Sequence, residues 1–222
     1  MGLDWLTEGQ NIARLGAGLW LTAKISFISV GVSCITGTLF GLLMRSCTRW
    51  VRVACQIYLE TIRIVPILVW LFVLYFGLPT WTNWHISGQW VCISVFSLWG
   101  TAEMGDLVRG ALGSIERHQI ESAKALGLKR HQIFRYIELP QGLRRVLPGA
   151  INLFTRMVKT SSLAALVGVV EIIKVGQQII ENSLLTVPNA SLWVYGLIFV
   201  LYFLICYPLS LVAARLERKW EC

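Results

Sequence analysis

Charge is scarce in this chain. Only 14% of its 222 residues are Asp, Glu, Lys or Arg, where soluble domains carry about a quarter. Leu, Ile, Val, Phe and Trp take the place of charge: 55% of residues are hydrophobic and the mean hydropathy is +0.63. That balance argues against a soluble enzyme and for a chain that crosses a bilayer several times. Catalytic signatures are missing as well. No GxxxxGK[ST] loop is present to cradle nucleotide phosphates, and no HExxH pair to hold zinc. "EMGDL", Glu103 to Leu107, lacks the first glycine of the GxGD motif of intramembrane proteases.

Cysteine chemistry is equally thin. Cys34, Cys47, Cys55, Cys92, Cys206 and Cys222 show neither CxxC nor metal-ligand spacing, and they read as small hydrophobes. No metal site is expected. A cleavable signal is not expected either, because the first dozen residues carry Asp4 and Glu8 and the first apolar run is too long for a signal core.

What is present is a set of long apolar runs. Crossing roughly 30 Å of hydrocarbon takes about 20 apolar residues. Five stretches come close, at about 19–44, 57–78, 89–112, 147–170 and 192–214. The third and fourth are interrupted by Glu103, Asp106, Arg156 and Lys159. The fold class expected is therefore all-α, a polytopic membrane protein with five transmembrane helices.

The net charge of +8 is distributed as a topology signal. Arg45, Arg49 and Arg52 separate the first two spans. Arg109, Arg117, Lys124, Lys129, Arg130, Arg135, Arg144 and Arg145 fall between the third and fourth, and Arg215, Arg218 and Lys219 follow the fifth. The turns Pro79 to Gly88 and Gly176 to Ser191 contain no Lys or Arg. Positive residues collect in cytoplasmic loops, so the N-terminus is expected outside and the C-terminus inside. No basic stripe with interleaved aromatics exists, which argues against a nucleic-acid partner. Trp81, Trp84, Trp90 and Tyr75 gather near the expected outer ends of spans two and three, as an interfacial belt does. Pro66, Pro148 and Pro208 are expected to kink or start helices.

The basic loop between spans three and four has internal pattern. Ile115, Gln119, Ser122, Ala123 and Leu126 recur at helical spacing, and Gly127 stands where a helix C-cap takes positive φ. Ile133, Phe134 and Ile137 give a second short helix an apolar face, which Pro140 is expected to end. A patterned 30-residue loop is uncommon unless it has a task.

In Glu121-Ser122-Ala123, then Gly127, then Ile137-Glu138-Leu139-Pro140, this loop resembles the EAA signature of bacterial ABC importer permeases. "YLETIRIVPILVWLFVLYFGLP" from Tyr58, "LVRGALGSI" from Leu107 and "KTSSLAALVGVVEI" from Lys159 resemble, in order, segments of the polar amino-acid subfamily. The likeness runs from about Gly16 to Arg215. It divides the chain into a periplasmic segment (1–15), a type I transmembrane domain (16–215) with its EAA loop at 113–146, and a cytoplasmic tail (216–222). Departures from the pattern are Ser122 for the first alanine, Lys129 where a capping serine is common, Glu103 where an aromatic is common and Asp106 where Glu is usual. Without a capping serine, the second loop helix is expected to start less firmly.

The resemblance implies a permease subunit in a bacterial inner membrane that takes up a polar amino acid. Its EAA loop would dock on a separate cytoplasmic ATP-binding subunit. Glu121, Ser122, Ala123, Gly127, Leu139 and Pro140 are the implied coupling residues: Glu121 offers charge, Ala123 close packing and Gly127 the turn. No catalytic residue and no cofactor belong to this chain; ATP and Mg would sit on the partner ATPase. A periplasmic amino-acid-binding protein would deliver the solute. A second permease subunit, homologous or identical, is also implied, since five spans enclose a solute path poorly.

Ionisable groups at membrane depth cost about 2.5–3.5 kcal/mol each and line paths or pair internally. Glu103 with Asp106, and Arg156 with Lys159, are the substrate-path candidates, and ion pairing between the two helices is the alternative. Arg156 beside Lys159 points to an acidic solute, whereas Glu103 and Asp106 would favour a basic one; the slight lean is to an acidic or neutral polar solute. The rival class is an ion-coupled secondary amino-acid transporter or a channel, which would need no ATPase.

Overall fold

A computed structural model describes residues 10–46, 48–183 and 189–220. Asp4, Glu8, Cys47 and Cys222 lie outside the described residues, as do parts of the 1–15 and 216–222 segments and of the loop from Gly176 to Ser191. Among the described residues every regular element is helical.

Helix α1 spans Asn11–Leu43, 33 residues. Helix α2, Arg49–Ile64, is followed by α3, Ile67–Phe72, a π turn at Val73–Gly77, and α4, Leu78–Thr82. Helix α5 is Gly88–Gly113. The polar loop holds α6, Arg117–Ala125, and α7, Arg130–Ile133. A π turn at Phe134–Glu138 leads into α8, Leu139–Thr160. After a 3₁₀ segment, Ser161–Val167, come α9, Ile172–Ser183, and α10, Ala190–Trp220.

Three single helices, α1, α5 and α10, are long and apolar enough to cross a bilayer, and two bent helix pairs raise the number to as many as five. The second apolar stretch is not one straight rod: its halves meet at 97°. Pro66 forces this, because the residue before proline is driven out of the helical region; Val65 is extended at ψ 125°. The fourth stretch bends by 51°. There Gly168 takes φ +76°, its N–H donates to Ala165 O and the Val169 N–H to Ala164 O, both at 3.2 Å. Pro148 and Pro208 lie inside helices α8 and α10.

Two expectations need correction. Residues from Gly176 on, read as an outer loop, include the second half of α9. Pro140 does not end the second loop helix either. The chain widens into a π turn at Phe134–Glu138, the Leu139 N–H reaching Phe134 O five residues back. Pro140 then occupies the first turn of α8, directly after the widened turn.

The most extensive packing joins α1 to α5. One face of α1 carries Thr22, Ser26, Ser29, Ser33, Gly37 and Gly41, all buried. Apolar packing alone does not drive helices together in lipid, and small residues allow the close approach that does. The approach here is extreme: a Cβ on Gly41 would lie 2.6 Å from Gly105 O, and one on Gly100 would lie 2.2 Å from Ser33 Oγ. The Ser29 hydroxyl donates to Ile93 O at 3.4 Å and that of Ser33 to Ser97 O at 3.3 Å. Around this pair Ile25, Leu71, Phe96, Leu153 and Met157 form the main apolar core.

Candidate functional site

The polar loop is a compact helical hairpin fastened to the bundle. Helix α6 ends in a Schellman cap. The Gly127 N–H donates to Lys124 O at 2.9 Å and the Leu128 N–H to Ala123 O at 3.1 Å. Gly127 has φ +82°, as its place in the sequence predicts. Lys129 precedes α7 without a side-chain cap. Gln132 compensates from inside the helix, its Oε1 accepting the Lys129 N–H at 2.8 Å, so the start of α7 is better held than the absence of serine suggests.

Three apolar side chains anchor the hairpin: Ile115, Ala123 and Ile133 are all buried. Ala123 therefore packs within its own chain, whereas Glu121, Ser122, Leu139 and Pro140 face outward. Leu126 at the turn is 81% exposed. Two polar ties complete the attachment. Gln141 Nε2 donates to Gln119 Oε1 at 2.8 Å. Arg45, just past α1, grips Glu138 through both nitrogens, Nη2 to Oε1 at 3.0 Å and Nη1 to Oε2 at 3.3 Å. Such forked pairs fix orientation as well as distance.

A second polar site lies where α2, α5 and α8 meet. Arg63, at the end of α2, donates from Nε to Glu103 Oε1 at 3.0 Å and from Nη2 to Asp106 Oδ2 at 2.7 Å. Arg156 Nη2 reaches Glu103 Oε2 at 3.0 Å, and its guanidinium stacks 5.1 Å from the Trp99 ring centre. Arg109 pairs with Asp106 one turn along α5. Arg145 Nη1 donates to Ser114 Oγ at 2.6 Å. A cavity of about 510 Å³ opens beside these groups. Three guanidinium groups, those of Arg63, Arg145 and Arg156, line the cavity with the two carboxylates, which leaves a positive surplus; each carboxylate is shared between two arginines, Glu103 by Arg63 and Arg156 and Asp106 by Arg63 and Arg109.

Three of the four expected intramembrane charges, Glu103, Asp106 and Arg156, thus come together, and pairing and cavity coexist. Lys159 does not join them. One turn beyond Arg156, it opens toward α10 in a separate recess with Phe199, Tyr202, Phe203 and Tyr207. Arg63 was not among the expected path residues, because it lies near the polar start of its stretch, in the last turn before the 97° bend. Glu171 was also missed. Its side chain is fully buried; Oε1 accepts the Lys174 N–H at 3.0 Å and Oε2 lies 3.3 Å from the Thr22 hydroxyl. It caps α9 from its own N-terminus and ties it to α1.

The sequence and the fold both have counterparts among known proteins. Residues 37–221 match a family model described as "Binding-protein-dependent transport system inner membrane component". The chain is 33% identical over 203 residues to the "Probable amino-acid ABC transporter permease protein YckA" of Bacillus subtilis, covering 91% of this chain and 87% of the relative. It is 30% identical over 223 residues to the "Glutamine transport system permease protein GlnP" of Escherichia coli, covering 100% and 99%. Among solved structures, one described as an amino acid ABC transporter with histidines superposes with a TM-score of 0.87 at 24% identity, covering 99% of this chain and 100% of that one.

Proposed function

The chain belongs to the family of binding-protein-dependent transport system inner membrane components, and from that premise we propose that it is the permease subunit of an ATP-driven importer of polar amino acids. It spans a bacterial inner membrane five times, N-terminus outside and C-terminus inside. A separate cytoplasmic ATP-binding subunit carries ATP and Mg, a second permease completes the path, and a periplasmic binding protein delivers solute. Several relatives named for amino-acid transport over nearly their whole length support this reading. Nothing in them or in the fold favours an ion-coupled carrier.

The observation that carries the mechanism is the capped hairpin at Arg117–Ile133 and its ties. Its outward residues Glu121, Ser122 and Leu126 meet the ATPase, Gly127 sets the turn, and Leu139 and Pro140 continue the hairpin into α8 without a joint. Ala123 acts from within, holding α6 close to the bundle. Force applied at the hairpin passes to α1 through Arg45–Glu138 and to α8 through the continuous helix. Helix α8 carries Arg156, so the same motion disturbs the charged cavity. There a zwitterionic solute meets both signs: its carboxylate is drawn to Arg63 or Arg156 and its ammonium to Glu103 or Asp106. The surplus of positive charge suits an acidic or neutral polar solute. Lys159, in its separate recess, is left out of the path.

Uptake of labelled glutamine and glutamate into proteoliposomes holding the assembled complex tests this. Uptake should require internal ATP and the binding protein, and it should survive a protonophore. Uptake by this chain alone, abolished by the protonophore, would replace the importer reading with a secondary carrier.

A further inference from the structure

The end of α1 and the polar hairpin enclose a cavity of about 900 Å³, apart from the Glu103–Arg63 site. Its wall combines cations with apolar side chains: Arg45, Lys124 and Arg130 beside Leu42 and Phe134. Arg45 is occupied by Glu138. Lys124 and Arg130 form no ion pair among the described residues, although both line the same opening. Two unneutralised cations converging on a cavity of this size call for an anion.

Position narrows the anion's source. Leu42 belongs to the last turn of α1, and Ile35, Leu39, Leu42 and Leu43 on that helix are exposed. They form an apolar track along a membrane-length helix, running directly to the cavity mouth. Soluble phosphate would use the cations but not the track. A phospholipid uses both, its head group among the cations and its acyl chains along α1. Basic pockets at helix ends on the cytoplasmic side are suited to anionic lipid head groups.

The cavity takes up only part of the hairpin's surface. Ile120 and Lys124, four residues apart on α6, point into the cavity. Glu121, Ser122 and Ala125 of the same helix do not line it and are exposed. The hairpin can be held from the membrane side and from the cytosolic side at once. We propose that this cavity binds the head group of an anionic phospholipid, with phosphatidylglycerol as the simplest fit.

The test is native mass spectrometry of the assembled complex released from vesicles of equal phosphatidylglycerol and phosphatidylcholine. Retained phosphatidylglycerol should exceed phosphatidylcholine. The pair Lys124→Gln with Arg130→Gln should lower it at least fivefold. Lys129→Gln with Arg135→Gln removes the same charge from residues that do not line the cavity, and it should leave retention unchanged. Equal losses in both double variants, or no loss in either, would overturn the site. Displacement of the lipid by millimolar inorganic phosphate would make it a soluble-anion site instead. Because the readout is lipid retained, not solute carried, it holds or fails independently of the transport reading.

Discussion

Gly127 gives the sharpest test of the hairpin, because its two possible roles separate cleanly. It sits at φ +82°, and a Cβ built there would meet no heavy atom within 4 Å. A side chain at 127 therefore costs no clash, only the strain of a left-handed backbone, about 1–2 kcal/mol for an ordinary residue. Asparagine visits that region readily and should pay a few tenths; alanine should pay about 1 kcal/mol and valine about 2. One to two kcal/mol shifts an equilibrium by roughly five- to thirtyfold. In the assembled complex, ATP hydrolysis stimulated by the binding protein should fall in the order Gly, Asn, Ala, Val. Amide exchange over residues 117–133 should quicken in the same order. Proline cannot adopt positive φ, and Gly127→Pro should abolish stimulation while the complex still assembles. If asparagine is as damaging as valine, the glycine is needed for room at the partner's surface and the backbone argument fails.

Three further outcomes follow from other contacts. Gly41→Ala places a Cβ 2.6 Å from the backbone oxygen of Gly105, which cannot rotate away, so thermal unfolding in detergent should show a loss of about 1–3 kcal/mol; Gly110→Ala, with nothing within 4 Å, should show no such loss. Arg63→Gln leaves Glu103 with Arg156 and Asp106 with Arg109, so the subunit should assemble with normal basal ATP hydrolysis. Its KM for uptake should rise about tenfold, equivalent to 1.4 kcal/mol, and an unchanged KM would remove Arg63 from the solute path. Glu171→Ala removes the acceptor at the start of α9 and should cost about 0.5–2 kcal/mol in thermal stability, whereas Glu171→Gln should recover most of it; equal loss in both would mean the carboxylate's charge matters and not its cap.

Apolar length and the Gly127 cap were legible because each is a local property, written in consecutive residues. The misreadings share a different origin. Hydropathy sums composition over a window and is blind to direction, so the 97° bend at Pro66 vanished into an even average, and with it the place of Arg63 in the last turn before that bend. Spacing placed Arg156 and Lys159 on neighbouring turns, but which helix lies beside each depends on how α8 packs: one faces α5, the other α10. Pro140 was read by the usual rule for proline, and the π turn that absorbs it has no sequence signature of its own. Glu171 was hidden by its apolar neighbours; a lone acid in "VGVVEI" resembles the edge of a loop until the helix it caps is seen.

The hydroxyl-bearing face of α1 bears on how the protein is made. Helix α1 is synthesised well before α5, its main partner, and must wait in the membrane with its polar groups uncovered. Several of its side chains bond back to their own helix: the Thr22 hydroxyl donates to Gly18 O at 3.0 Å, and the Ser26 and Thr38 hydroxyls to Thr22 O at 2.7 Å and Cys34 O at 2.6 Å. Each group satisfied in this way needs no partner from elsewhere while lipid surrounds it. These hydroxyls need no neighbour when α1 enters the membrane, whereas Ser29 and Ser33 meet their acceptors, Ile93 O and Ser97 O, only once α5 has packed beside it.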